Sequence, residues 1–97
     1  MALKFIWTSQ AVKGFNKVVD YLEAKWTTKE ILNLENKIQQ VINQINLNPE
    51  QFPKSERNTT LYKAIVDKNN YLVYRIDKEF DIITIINFRG TKQKPKH

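Results

Sequence analysis

The residues able to bind or move charge lie mostly in the second half of the chain: Lys54, Arg57, Lys63, Tyr71, Arg75, Arg89 and Lys92. Cations interleaved with an aromatic ring suit a phosphate backbone and a stacked base. The same pattern also fits ordinary solvated cations on an exposed sheet face. Cleavage of RNA at its 2′-hydroxyl would need a base, an acid and stabilisation of the phosphorane. The only histidine is His97, the last residue, and no paired carboxylates stand out. Tyrosine and lysine would then have to move the protons, with arginine as the clamp. Tyr71, Arg75 and Lys63 are the catalytic candidates on that reading. Lys54, Arg57, Lys63, Arg75, Arg89 and Lys92 are the candidates for binding a target or nucleic acid. Unperturbed pKa values of about 10 and about 10.4 make tyrosine and lysine poor at this near neutrality unless strongly shifted. No metal motif, phosphate loop or nucleophile elbow is present. Without cysteine there is no thiolate metal site and no disulfide framework. The expectation is a protein with no metal and no cofactor.

These residues need a scaffold, and Leu61–Phe88 supplies most of it. Leu61–Val66, Tyr71–Ile76 and Ile82–Phe88 are dominated by β-branched and aromatic residues, as a pleated, half-buried surface requires. Asp67-Lys68-Asn69-Asn70 and Asp77-Lys78-Glu79-Phe80-Asp81 between them have turn chemistry. Connections this short join antiparallel neighbours, because a parallel crossover takes a dozen residues or more. The C-terminal half is therefore predicted to be a three-stranded meander. In its second strand, Leu72, Tyr74 and Ile76 form the all-apolar set that should meet a covering layer, leaving Tyr71 and Arg75 open. Lys63 should also point away from the core. Asn87 and Arg89 share a side. The third strand is apolar on both sides through Ile86, which predicts a central or doubly covered position.

The first half supplies the cover. Leu3–Trp7 reads as a short strand that joins the meander as a fourth. Thr8 or Ser9 can cap a helix, and Ala11, Phe15, Val18, Leu22 and Trp26 follow on one face. Gly14 weakens that helix by about 1 kcal/mol against alanine and allows a close packing contact. Thr27-Thr28-Lys29-Glu30 contains a capping box that opens a second helix. Ile31, Leu34, Ile38, Val41 and Ile45 form its seam, too short for a long coiled coil. Asn48-Pro49 ends it. Phe52-Pro53 pins the following loop. The resulting fold class is α+β: a strand, an αα-hairpin and a three-stranded antiparallel meander, with the helices on one face of a small antiparallel sheet. Trp7, Phe15, Leu22, Ile38, Ile42, Leu72 and Tyr74 are the expected interior.

Ninety-seven residues make one domain, residues 1–97, with a single modest core. Met1-Ala2-Leu3-Lys4 does not open a signal peptide, and no apolar run approaches the roughly 20 residues of a membrane span. A soluble, cytoplasmic protein is expected, with no membrane partner. Of the net charge of +6, Arg89, Lys92, Lys94 and Lys96 place +4 in residues 89–97, with no acid among them. This basic tail is either simply solvated or a contact for phosphate or an acidic partner.

Several of these segments together resemble the RelE/ParE toxin superfamily. The opening strand ending in Ile6-Trp7-Thr8, then Ala11, Tyr21-Leu22 and Trp26, is similar to its first third. Asn48-Pro49 closing the second helix, Leu72-Val73-Tyr74-Arg75-Ile76, and Asn87-Phe88 followed by Lys92-Gln93-Lys94-Pro95 continue the likeness. At the end, Lys92 stands where ParE-like members usually carry the arginine of an Arg-x-x-Pro. The resemblance implies the toxin half of a bacterial type II toxin–antitoxin pair, linked to growth inhibition and plasmid stabilization. A cognate antitoxin would hold it inactive, with a homodimer or a hetero-oligomer as the assembly. RelE-like members cut messenger RNA in the ribosomal A site as metal-independent endoribonucleases; ParE-like members poison DNA gyrase. RelE-like nucleases tend to carry an arginine just before the Leu-Val-Tyr stretch, where this chain has Tyr71. Several end in a catalytic tyrosine after the last strand, where it has Gly90-Thr91. The departures favour the ParE-like side. A toxin-like fold that has lost its toxicity, or a plain interaction module, stays open.

Overall fold

The structure is a computed structural model that describes residues 3–25 and 28–90. Trp26, Thr27 of the capping box, and Lys92 with the rest of the basic tail lie outside them.

The element order is β1 (Lys4–Trp7), α1 (Ser9–Lys25), α2 (Thr28–Leu47), β2 (Tyr62–Asp67), β3 (Asn70–Asp77) and β4 (Ile82–Gly90). The strands lie side by side in the order β1-β4-β3-β2. β2, β3 and β4 form the antiparallel meander. β1 runs parallel to β4, with Lys4 opposite Ile82 and Trp7 opposite Ile85. This corrects the purely antiparallel sheet predicted from the sequence. The link between β1 and β4 contains both helices and the other two strands, long enough to return in either direction, so no local turn sets the orientation. β4 is central, as its two apolar sides predict. It also runs two residues past Phe88, which makes Arg89 part of the sheet rather than of a tail.

Helix α1 begins where Thr8 ends β1. The Thr8 hydroxyl accepts a hydrogen bond from the Ala11 N–H at 3.1 Å, satisfying a donor that the first turn cannot pair internally. It also donates to the Ile86 carbonyl at 2.9 Å. α1 packs on β4, and α2 packs on β2 and α1. Ala11 and Val18 of α1 and Leu34, Ile38, Val41 and Ile45 of α2 are buried against Ala64, Leu72, Tyr74, Ile83, Ile85 and Phe88 of the sheet. Of the interior expected from the sequence, Ile38, Leu72 and Tyr74 are buried, while Trp7, Phe15, Leu22 and Ile42 are half-buried around that centre. Trp7, Phe15 and Phe88 form one aromatic cluster, with Phe15 edge-on to Phe88 at 5.6 Å between centroids. Phe52, Tyr74 and Tyr62 form a second, with Tyr62 stacked on Tyr74 at 5.3 Å. The Tyr74 hydroxyl donates to the Pro49 carbonyl at 2.6 Å, which fastens the loop after α2 to the sheet.

One irregularity decides which side chains face out. The β3–β4 ladder steps from Val73 opposite Asn87 to Tyr74 opposite Ile85, leaving Ile86 as an extra residue in β4. Such a bulge reverses the alternation. Ile83 and Ile85 point into the core on one side of it, and Phe88 on the other. Strict alternation from Ile85 would have turned Asn87 and Arg89 inward. The bulge turns them out, and the Thr8 hydroxyl takes up the carbonyl of the bulged residue.

Candidate functional site

The face of the sheet away from the helices carries the candidates. In β3, burial of Leu72 and Tyr74 leaves Tyr71 half-buried and Arg75 exposed on the opposite side. Lys63 of β2 shares that side, since its register partner is Val73. In β4, Arg89 stands directly opposite Tyr71, and Asn87 opposite Val73. Cross-strand partners present their side chains on the same face. Lys63 reaches diagonally across to place its ammonium 4.3 Å from the centroid of the Tyr71 ring. A cation over a ring face is attracted by the ring quadrupole, worth about 0.5–1 kcal/mol at an exposed site. Lys63, Tyr71 and Arg89 therefore form one cluster, built from three strands and aligned by the bulge at Ile86.

Arg75 belongs to a different place. It lies four residues along β3 from Tyr71, about 13 Å away on an extended strand, opposite Thr84. It lines a polar cleft of about 610 Å³ with Glu50, Lys54, Thr60, Tyr62, Asp77 and Lys78 among its walls. Lys54 enters through a bridge to Tyr62 and sets its ammonium 5.9 Å from that ring. Glu50 and Lys78 form an ion pair at 2.6 Å across the cleft. The hydrogen bond and charge of Lys78 hold the Glu50 carboxyl below its usual range, and Glu50 holds the Lys78 ammonium above its own. Arg57 is exposed in the loop before β2 and is not a wall of this cleft. The constellation seen in sequence thus divides in two, Lys63–Tyr71–Arg89 at one end of the sheet and Lys54–Arg75 at the other.

A third feature was not singled out from the sequence. β1 stops opposite Ile85, so the last residues of β4 have no strand on that side among the described residues. Helix α1 lies there instead. Between them runs a groove of about 360 Å³ lined by Gln10, Lys13, Gly14 and Lys17 of α1 and by Asn87–Gly90 of β4. Lys13 and Lys17 are exposed and stand off the apolar face of α1. Their spacing of four residues was the available signal, since it places both on one side of a helix. Among the described residues, no group of three His, Cys, Asp or Glu side chains stands close enough to hold a metal ion.

The chain matches, over residues 5–95, the family described as the ParE toxin of the type II toxin–antitoxin system, parDE. The chain belongs to the ParE toxin family. It is a type II toxin of the RelE/ParE superfamily. No curated protein sequence matches it. Solved structures share the toxin's fold at low identity. A chain of the chromosomal ParDE system from P. aeruginosa superposes with a TM-score of 0.75 at 11% identity, covering 94% of this chain and 98% of that one. A chain of the RelBE2 toxin–antitoxin complex from Mycobacterium tuberculosis gives 0.65 at 16% identity, over 93% and 99%. The YoeB dimer from Staphylococcus aureus gives 0.65 at 19% identity, over 92% and 97%. Relatives of this ParE-family toxin have thus been solved both with their antitoxins and as a dimer.

Proposed function

We propose that this ParE-family toxin arrests growth by inhibiting DNA gyrase and that a cognate antitoxin holds it inactive. The observation that carries the reading is the placement of Lys63 on the face of the Tyr71 ring, beside Arg89. A general base or acid must come within hydrogen-bond reach of the proton it moves. Here the ammonium is held against the ring's π-face, and the arginine clamp Arg75 stands at the far end of the strand. The arrangement suits recognition of a charged surface rather than proton transfer. Lys92, at the position of the family's usual arginine, would extend that surface. DNA gyrase works in the cytoplasm, so the reading places the toxin there. No helix among the described residues is long and apolar enough to cross a membrane.

A second reading is a ribosome-dependent messenger RNA endonuclease. It draws on the same cluster, because the Tyr71 ring and two cations together could hold a base and its phosphate. An inactive module of the same fold is the third.

The antitoxin must cover a surface of about 1,200–2,000 Å² in total. Val12 and Leu32 are exposed apolar residues on α1 and α2. A mainly apolar groove of about 260 Å³ lies between α1, α2 and the end of β1, lined by Trp7, Val12, Phe15 and Ile38 together with Glu35 and Gln39. These features offer footing for an amphipathic helix.

The deciding experiment is induction in cells, combined with supercoiling assays on purified gyrase and primer extension on messenger RNA. Gyrase inhibition with intact messages is expected. Discrete A-site cuts with gyrase untouched would overturn the proposal in favour of the nuclease, and normal growth would leave the inactive module. Removing residues 91–97, which spares all of β4, should abolish the arrest. Co-expression with the product of a neighbouring small reading frame should yield a stable complex by pull-down.

A further inference from the structure

The outward side of α2 differs from the rest of the surface. Lys29, Glu30, Glu35 and Lys37 are the charged residues of this helix, and none follows between Ile38 and Pro49, in a chain of net charge +6. At 3.6 residues per turn, Leu32, Asn36, Gln39, Gln40, Asn43 and Leu47 fall within about 100° of one another. They lie opposite the buried Leu34, Ile38, Val41 and Ile45, and all of them are exposed. Leucines close both ends of this face, Leu32 with 53% and Leu47 with 84% of its surface open to water. The residues between them are amides, and Gln39 donates to Asn43 at 3.0 Å.

The chemistry of the face narrows what can cover it. A nucleic acid would need cations along the helix to meet its phosphates, and from Ile38 onward α2 has none. A lipid surface would leave the amides without partners. A strongly charged segment would lose hydration and meet no counter-charge. The face suits a surface that is itself uncharged, apolar at its ends and rich in amides between. An amide carries both donors and an acceptor, so it can pair with its own kind. The order Leu-Asn-Gln-Gln-Asn-Leu is the same read in either direction. Leu32 mirrors Leu47, and Asn36 mirrors Asn43, about the midpoint of Gln39 and Gln40. Such self-complementarity is what a two-fold interface requires.

We propose that a second copy of this chain packs on this face, α2 antiparallel to α2, about a two-fold axis at Gln39–Gln40. Leu32 of each copy then lies level with Leu47 of the other, and Asn36 with Asn43. Lys29 comes beside the C-terminal end of the other copy's α2, whose carbonyls carry partial negative charge. That end has no basic residue of its own in its last turn. The two helix layers meet in the middle, so both open sheet faces, with Lys63, Tyr71 and Arg89, stay free and point away from the axis. The dimer thereby presents that cluster twice. The inference is independent of which target the toxin acts on.

Sedimentation equilibrium of the purified full chain should show reversible association of monomers into dimers. α2 spans about 30 Å, which makes a small interface, so the midpoint should fall at roughly 10–100 μM. The dimer should persist at about 1 M salt, because the seam is uncharged and salt screens the repulsion between two basic chains. Gln40→Glu sets two carboxylates across the axis and should weaken association by roughly tenfold or more, as should Gln40→Lys. Mixing these two variants should restore association, which misfolded chains could not do. The chain has no cysteine, so Leu32→Cys and Leu47→Cys report the register. Mixed under mild oxidation, the two variants should cross-link. Each alone should not, since its counterpart lies about 22 Å away along the helix pair, too far for a disulfide. A chain that stays monomeric well above the expected range would overturn the proposal. So would a dimer that dissolves in salt, survives both Gln40 changes, fails to cross-link in the mixture, or cross-links as well through either cysteine alone.

Discussion

Gly14 of α1 stands against the carbonyl oxygen of Phe88 in β4 with no room for a side chain between them: a β-carbon on Gly14 would overlap that oxygen. In an ordinary helix interior, replacing glycine by alanine gains about 1 kcal/mol. Here the obstacle is backbone of the central strand, which cannot swing aside as a flexible side chain can. Gly14→Ala should therefore destabilise the toxin by roughly 1–3 kcal/mol, the scale of overpacking. Urea denaturation reads this directly, and a gain in stability would mean that α1 does not press on β4.

Thr8 joins three elements through one hydroxyl, ending β1, capping α1 and holding the carbonyl at the Ile86 bulge. Thr8→Ala should cost about 1–2 kcal/mol, at the upper end for a lost cap, while Thr8→Ser should recover most of it. The same denaturation curves measure both. If the alanine variant loses nothing, the cap is not formed in solution.

Ile38 lies on the buried seam of α2, with 6% of its surface exposed. Ile38→Ala should cost roughly 2–5 kcal/mol through lost burial and a residual cavity. A loss below about 1 kcal/mol would place this face of α2 outside the core.

Burial, with a smaller contribution from Tyr62, pushes the Tyr74 hydroxyl above its ordinary ionisation range. In the unfolded chain this group ionises near pH 10. Above that pH the unfolded state has lost the proton while the folded state still holds it, so stability falls as pH rises. Below it both states are protonated and this contribution is fully present. Tyr74→Phe should lower stability at neutral pH by about 1 kcal/mol, because the Pro49 carbonyl loses its donor. It should also flatten the decline above about pH 10 relative to the unsubstituted chain. Denaturant midpoints across neutral and alkaline pH give the comparison, and parallel profiles would contradict it.

Tyr71→Phe keeps the ring on which Lys63 sits and removes only the hydroxyl. If the toxin acts on gyrase by surface recognition, its potency should be nearly unchanged, while Arg89→Ala should weaken inhibition. For a nuclease, Tyr71→Phe or Arg75→Ala should cost about 10²–10⁴-fold in message cleavage, the usual scale of acid–base assistance. Dose–response curves on gyrase and on translated messages separate the two patterns.

Much of this molecule follows from local chemistry alone. Short-range periodicity determined the helices, their buried faces and the three strands of the meander, because each depends on neighbours a few residues away. The facing of Tyr71 and Arg75 was legible for the same reason, since β3 alternates without interruption across them. The side on which Asn87 and Arg89 would lie was not. It depends on an extra residue at Ile86, next to Ile85, where neighbouring isoleucines put apolar side chains in both alternating sets and the pattern does not mark the slip. The parallel direction of β1 was also undetermined, because both helices and two strands intervene before its partner. Only packing of α1 onto β4 brought Lys13 and Lys17 beside Arg89. The separation of Arg75 from Tyr71, by contrast, was already contained in their spacing of four residues on one strand. Secondary structure was settled by contacts close in sequence, whereas the grouping of charges was settled by contacts distant in sequence, which become defined only when the layers close.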